Sequence, residues 1–359
     1  MDARMNATTG SANRCERPLV MRCGAFGDMV LLTTLIRRLH ARFGLPVDIV
    51  ASGPWTEPLL NGQPGVGEIF LLRSRKTPYW FDRTQQRVVH ALRARGAGPT
   101  WFCDAYGTGR ELLTRARIPE DFVVDVRRCP GVPGQHFVEY WLYIGSVMPA
   151  AFADRPAVGA ISDEPGCALE ISDAQRSELH RWLDRGGLGG RPLLLVQAGS
   201  KRTMRGGRRK RRSNTKFWPE ERWAQVIRAM REDCPQHAIV LTGVSRERGF
   251  NEDIARLASA ADVFNVAGDL TVPRLVALLA HAEALISVDS GPAHAAAAVG
   301  CPQVVLFGQA DPALYRPWGL SKPHVICLTG EVAGTPAILG IEAHTVIEAW
   351  RRLPRRKQP

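Results

Sequence analysis

A helix that crosses a membrane needs roughly 18–20 consecutive apolar residues, and this sequence has no such run. Its nearest approach, Leu275 to Ile286, is interrupted by His281 and Glu283. An apolar leader is also missing: residues 1–17 are small and polar, which reads as a frayed tail and not as a secretory signal. The eight cysteines include no C-x-x-C pair and no Cys/His group at structural-zinc spacing, so reduced, buried thiols of a cytoplasmic protein are expected. The first strand is not followed by G-x-G-x-x-G, which counts against a dehydrogenase. There is no obvious Asp-x-Asp motif and no repeat at solenoid period. Acidic residues are in short supply, 35 against 47 Lys and Arg, for a net charge of +12. Such a field attracts phosphates, anionic headgroups and nucleic acid without choosing among them.

What remains is ordinary globular composition, 45% apolar and 23% charged over 359 residues, enough for two domains with substantial cores. Short apolar runs alternate with helical patterns. In the first half, strands are expected at Leu19–Cys23, Val47–Ala51, Glu68–Leu72, Thr100–Cys103 and Phe122–Asp125, with helices at Met29–Phe43, Gln85–Arg95 and His136–Ile144. Pro149, Pro156, Pro165 and the Gly186–Gly190 stretch mark a loop-rich connection around a helix at Asp173–Arg185. In the second half, strands at Leu193–Gln197, Ala238–Thr242, Val263–Val266, Ala284–Val288 and Gln303–Phe307 alternate with helices at Glu221–Arg231, Asn251–Ala258, Pro273–His281 and Pro292–Val299, and Glu342–Leu353 forms a last amphipathic helix. The alternation predicts an α/β protein with two doubly wound, Rossmann-like parallel sheets, and a cleft between domains as the default ligand site.

Four turns after strands carry candidate chemistry. Cys23 to Val30 reads as a strand end, a glycine turn and a helix start at Asp28 or just after it. A carboxylate there can take a proton from a hydroxyl; equally, it can cap the helix. Val288 to Ala298 ends a strand in Asp289-Ser290-Gly291 and enters an alanine-rich helix. Free N–H groups and the macrodipole at that helix start suit a diphosphate, and Gly291 permits close approach. His294 belongs to that site or is a satisfied, partly buried histidine. Gln197-Ala198-Gly199-Ser200 is a small-residue turn of the kind that cradles phosphate, and Lys216, just before Phe217-Trp218-Pro219, can neutralise one. Glu247, after Thr242-Gly243, can accept hydrogen bonds from ribose hydroxyls or stand on the surface. Between Ser200 and Lys216, Lys201, Arg202, Arg205, Arg208, Arg209, Lys210, Arg211 and Arg212 make eight cations in twelve residues. A solvated loop is the plain reading of this run; an anionic acceptor, a membrane surface or RNA are the functional ones. No aromatic interleaves it, so nucleic acid is not expected as a partner.

From about Leu19 to Leu353 the chain resembles glycosyltransferase family 9, the ADP-heptose:lipopolysaccharide heptosyltransferases. Three blocks carry the resemblance: the Gly24–Asp28 turn, Lys216-Phe217-Trp218-Pro219 with Glu221 and Trp223, and Asp289-Ser290-Gly291 with His294, followed by Phe307-Gly308 and Asp311-Pro312. The resemblance implies a GT-B fold, two Rossmann-like domains facing across a cleft, and an inverting transfer that uses no metal and no other cofactor. It implies Asp28 as catalytic base and Lys216 as a phosphate-binding lysine. Asp289, Ser290, Gly291 and His294 match the family's donor-binding loop, with Glu247 as a contact to the donor nucleoside; Ser200, from its small-residue turn, is expected on the donor side as well. Ser290 stands where the family usually has threonine, which keeps the hydroxyl. The basic run before Lys216 departs from the family pattern.

The divisions expected on this reading are a tail at 1–17, an acceptor-side domain at 18–160, a linker at 161–190, a nucleotide-sugar-binding domain at 191–335, and a C-terminal helix with a basic tail at 336–359. The function expected is transfer of heptose from ADP-heptose to a hydroxyl of a lipopolysaccharide-core-type acceptor. The protein would be cytoplasmic and peripheral on the inner face of the inner membrane, with an anionic glycolipid or saccharide acceptor and anionic lipids as partners. The alternatives are a transferase of the same fold that uses another nucleotide sugar and a polysaccharide, glycolipid or protein acceptor, a GT-B-shaped epimerase, and a non-catalytic nucleotide or nucleic-acid binding protein.

Overall fold

Strands such as Leu193–Gln197 and Ala284–Val288 are buried at every position, the pattern of a parallel sheet covered by helices on both faces. The computed structural model describes residues 15–74, 77–104, 109–200 and 214–356. Contacts group the chain into two units: Met1–Gly24, Leu35–Gly131 and Tyr143–Ser162 form the first, and Ala25–Thr34, Val132–Leu142 and Asp163–Pro359 the second.

The first unit holds a five-stranded sheet in the order β3-β2-β1-β4-β5, parallel throughout. Its strands are β1 (Leu19–Met21), β2 (Val47–Ser52), β3 (Val66–Leu72), β4 (Thr100–Phe102) and β5 (Val123–Asp125). Asp48, on β2, is fully buried. Its Oδ1 accepts from the Glu68 N–H at 2.9 Å and its Oδ2 meets Arg95 Nε at 2.6 Å. One carboxylate thereby joins β2 to β3 and to the end of the helix Arg83–Arg95. The last residues of the segment expected to fray are held, because the Cys15 N–H donates to Ala97 O at 2.8 Å and Glu16 pairs with Arg155 at 3.3 Å.

The second unit holds six parallel strands: β6 (Leu193–Gln197), β7 (Ala238–Leu241), β8 (Val263–Asn265), β9 (Ala284–Val288), β10 (Gln303–Leu306) and β11 (Val325–Leu328). Their order is β11-β10-β9-β6-β7-β8. Winding reverses between β6 and β9, and ligands of doubly wound sheets bind at the carboxyl ends of the strands at such a reversal. The helix Glu220–Asp233 buries Trp223, Val226, Ile227 and Met230, the i, i+3, i+4, i+7 stripe of the sequence. Trp218 is buried and its indole N–H donates to Ile341 O at 2.8 Å, which ties the start of this helix to the segment entering the helix Ala343–Arg352.

The expected elements are present with shifted boundaries. The largest shifts, three residues each, are at the starts of the first helix, which runs Phe26–Phe43 and so begins before Asp28, and of the helix Arg248–Ala258. The sequence pattern did not bring out β11 or the short helices Thr56–Leu60, Arg110–Arg115 and Pro312–Tyr315. Helices of four to six residues are too short to display a helical period. Among the described residues, no helix is long and apolar enough to cross a membrane.

Asp48→Ala would leave the Arg95 side chain, 3% exposed, without its carboxylate. Breaking a buried pair from one side costs about 3–5 kcal/mol, and urea unfolding should show a loss of that order. A loss under ~1 kcal/mol, typical of solvated pairs, would mean that water reaches Arg95.

Candidate active site

Two helices begin against each other within the second unit. The helix Gly291–Ala298 follows β9, and the first turn of Phe26–Phe43 lies at its start. A Cβ on Gly291 would stand 2.6 Å from Phe26 Cδ1 and 3.0 Å from the Gly27 nitrogen. A Cβ on Gly27 would stand 3.2 Å from Gly291 Cα and 3.0 Å from His294 Cδ2. Glycine at Gly291 lets the backbones approach this closely, and glycine at Gly27 keeps the contact free of crowding. Two sets of helix N-terminal N–H groups, with the positive ends of two macrodipoles, therefore share one place, which favours an anion.

Asp28 is half-buried on the first turn of its helix. Its Oδ2 accepts from the Ala25 N–H at 2.7 Å. The carboxylate thus serves the helix start from the third helical position, in the reciprocal half of a capping box, and not as the N-cap itself. The same bond fixes the carboxylate beside the paired helix starts.

At the end of β9, Asp289 and Lys216 form one unit. Lys216 Nζ donates to Asp289 Oδ2 at 2.5 Å and to Asp289 O at 2.8 Å. A lysine ammonium has three N–H groups, so two are committed to Asp289 and one remains for a ligand. Gly308 helps to place this lysine, because a Cβ there would collide with Thr215 O. Ser290 has extended backbone at the N-cap, yet its side chain makes no cap hydrogen bond, and its buried Oγ has no protein partner. His294 is buried, and its Nδ1 also lacks a partner. Burial lowers its pKa to about 4, against a smaller upward pull from Asp289, so the imidazole is neutral at physiological pH.

Glu247 lies at the ends of β6 and β7 and is buried, which settles the surface alternative against it. A Cβ on Gly199 would be 2.6 Å from its Oε1, and one on Gly243 2.7 Å from its Oε2. Oε2 accepts from the Val244 N–H at 2.7 Å, while the buried Oε1 has no partner. Burial raises the Glu247 pKa, and hydrogen bonds from Val244 and Gln197 oppose that shift. Behind it, Thr242 Oγ1 donates to Gln197 Oε1 at 2.8 Å and Gln197 Nε2 donates to Gly199 O at 2.8 Å, which fixes both turns. Ser200 is half-exposed where the described chain leaves β6. Lys201, Arg202, Arg205, Arg208, Arg209, Lys210, Arg211 and Arg212 lie outside the described residues.

Sequence reasoning passed over His136. Its Nδ1 accepts from the Val138 N–H at 3.1 Å and its Nε2 donates to Arg316 O at 2.9 Å. Burial lowers its pKa, so it is a neutral tether holding the Arg316 loop to the helix Phe137–Ser146. His136, Glu139, Arg316 and Trp318 line a cavity of about 470 Å³. Asp311 caps the short helix beside it, accepting from the Ala313 N–H at 2.8 Å. Among the described residues, no group of three or more His, Cys, Asp or Glu is placed to hold a metal ion.

Known proteins share this architecture. A family model described as "Glycosyltransferase family 9 (heptosyltransferase)" matches residues 122–333. The chain is 28% identical over 307 residues to lipopolysaccharide heptosyltransferase 3 of Escherichia coli, covering 81% of this chain and 83% of that protein. It is similar to the solved structure of a glycosyl transferase family 9 protein from Veillonella parvula, with TM-score 0.74, 17% identity and coverage of 94% of this chain and 96% of that one. It is also similar to the structure of E. coli ADP-heptose lps heptosyltransferase II, with TM-score 0.67, 20% identity and coverage of 93% and 97%. These likenesses show the fold, which is GT-B.

Two measurements probe the cluster. Gly291→Ala would force a methyl against Phe26 and Gly27, and overpacking of that kind costs about 1–3 kcal/mol; an unchanged thermal midpoint would mean that the two helix starts can part freely. His294 gives a pH test. Below pH 6.5 the unfolded chain binds a proton that the folded chain refuses until about pH 4. Stability present above 6.5 is therefore lost as the pH falls through that window, by on the order of 3 kcal/mol. His136 and His281, also lowered by burial, add in the same direction. Urea midpoints at pH 7.5, 5.5 and 4.5 should flatten in His294→Gln; an unaltered slope would place the acid sensitivity elsewhere.

Proposed function

The chain is a glycosyltransferase that belongs to family 9, and from that premise we propose that it moves heptose from ADP-heptose to a hydroxyl of a lipopolysaccharide-core-type acceptor. The reaction is a single inverting displacement that needs no metal ion or other cofactor. The observation that carries this reading is one cluster in which Asp28, the Lys216–Asp289 pair and His294 surround two abutting helix starts.

Asp28 removes the proton of the acceptor hydroxyl as that oxygen attacks the anomeric carbon, and the nucleoside diphosphate leaves from the opposite face. General-base help is worth ~10²–10⁴-fold, or roughly 3–5 kcal/mol. Charge developing on the diphosphate is met by the helix N–H groups at Gly27 and Gly291 and by the uncommitted N–H of Lys216. Those donors are fixed before the reaction, so little reorganisation is needed. Neutral His294 stands among them without adding a charge that would pull Asp289 away from Lys216. Ser290 Oγ and Glu247 Oε1, buried without partners, suit donor hydroxyls: the serine those nearest the diphosphate, the glutamate those of the ribose. A buried acceptor left open costs free energy that a ligand hydroxyl recovers.

The acceptor side rests on charge. A net charge of +12, with eight cations between Lys201 and Arg212, supports an anionic, phosphate-bearing acceptor at the cytoplasmic face of the inner membrane. The E. coli relatives' names, which include lipopolysaccharide and ADP-heptose, point the same way.

Asp28→Asn keeps an oxygen for the Ala25 N–H but cannot take a proton. It should lower kcat by ~10²–10⁴-fold while the donor Kd and the melting temperature stay near wild type. A parallel loss of donor affinity and stability would leave Asp28 as a helix-start residue only. Calorimetry with EDTA present should show binding of ADP-heptose in preference to GDP-, UDP- and dTDP-sugars. Preference for another of these would replace the donor and keep the mechanism, and a requirement for divalent ions would overturn the metal-free reading.

A further inference from the structure

The first unit presents two large aromatic side chains to solvent at one place. Trp80 is 72% exposed and Phe81 82%, on the turn Tyr79–Phe81 that leads into the helix Arg83–Arg95. Tyr79, beside them, packs against the core of the unit. The chain can bury an aromatic ring here, and it leaves the next two outside. Apolar side chains exposed singly are ordinary, but an adjoining Trp and Phe form a patch.

The turn is braced from within. Gln85 Nε2 donates to Ser74 O at 3.0 Å and Thr77 O at 2.9 Å. Gln86 Nε2 donates to Tyr79 O and Trp80 O, both at 3.1 Å, and the Phe81 N–H donates to Pro78 O at 3.0 Å. Carbonyls that lose water without another partner are costly in an apolar setting. These have protein partners, so the turn can leave water with those carbonyls satisfied and with little further loss of freedom.

The surrounding charge is mostly positive. From Arg73 to Arg95 the sequence has seven cations and one acid, Asp82. That acid is 7% exposed, and its carboxylate faces inward to the N–H groups of Thr84 at 2.8 Å and Gln85 at 3.2 Å. Arg73, Arg83 and Arg87 are exposed. The Arg115 guanidinium lies 4.4 Å from the Tyr79 ring centroid and 5.2 Å from that of Trp80, with Glu111 as its i,i+4 partner at 3.7 Å.

We propose that the Tyr79–Phe81 turn docks the protein on an anionic lipid bilayer, with Trp80 and Phe81 entering the interfacial layer and the neighbouring arginines meeting headgroup phosphates. Aromatic side chains favour that layer, and peripheral binding grows with buried apolar area and with attraction to anionic lipid. The inference stands on the first unit alone and does not depend on the donor or acceptor assigned above.

Flotation of the full-length protein with vesicles tests it. Wild type should float with phosphatidylethanolamine/phosphatidylglycerol vesicles and much less with phosphatidylcholine. The Trp80→Ala/Phe81→Ala protein should lose about tenfold or more in partitioning, and Trp80→Leu/Phe81→Leu, which restores apolar area, should recover most of it. Three results would overturn the proposal: no flotation of wild type, wild-type flotation of the alanine pair (anchoring then lies in other cations), or equal flotation of wild type with phosphatidylcholine vesicles (the arginines then meet no headgroup charge).

Discussion

Backbone meets backbone where the helices Phe26–Phe43 and Gly291–Ala298 begin; Gly291 has no room for a side chain, and at Gly27 even a methyl would be a tight fit. The positions of the other groups follow from that approach. Phe26 lies over Gly291, the ring of His294 rests on Gly27, and Asp28 is held one turn along by Ala25. Asp289, two residues before Gly291, in turn holds Lys216 by its side chain and its carbonyl. A change at either glycine would therefore reach the carboxylate, the lysine and the imidazole together.

The same neighbourhood is incompletely satisfied as a folded structure. Ser290 Oγ, His294 Nδ1 and Glu247 Oε1 are buried without hydrogen-bond partners. Each lies within a few residues of the end of β7 or β9, near the reversal of strand order. An unpaired buried polar atom costs about 1–3 kcal/mol, and a fold selected for stability alone would fill or remove it. The cost is tolerable where a ligand supplies the missing partners, and it makes the unliganded site a less stable part of the sheet edge.

Much of this could be read from the chain because parallel strands with helices on both faces are apolar along their length, and their helices keep a clear stripe, as Trp223, Val226, Ile227 and Met230 do. The glycine turns were visible for the same reason, since each follows such a strand. β11 was not, because Val325–Leu328 is an apolar run of only four residues, half-buried along its length and too short to display a period. The start of the first helix lay earlier than the pattern implied, because Ala25 and Phe26 carry no capping signal of their own and the cap comes back from Asp28. His136 could not be picked out at all: its anchor is a backbone carbonyl 180 residues further on, and a carbonyl has no sequence signature. Glu247 was ambiguous because its burial depends on Gly199 and Gly243, which follow two different strands.

The first helix has its first half, to Thr34, grouped with the second unit and its remainder with the first, and the chain passes between the units again near residues 131, 142 and 162. Neither unit is a continuous stretch of sequence. No single cut of the gene would yield either one intact, and separating the residues before and after 163 would remove Asp28 and His136 from the sheet they serve. The two halves of this enzyme are therefore expected to be inherited, expressed and shuffled only as one piece, unlike domains strung end to end on a linker.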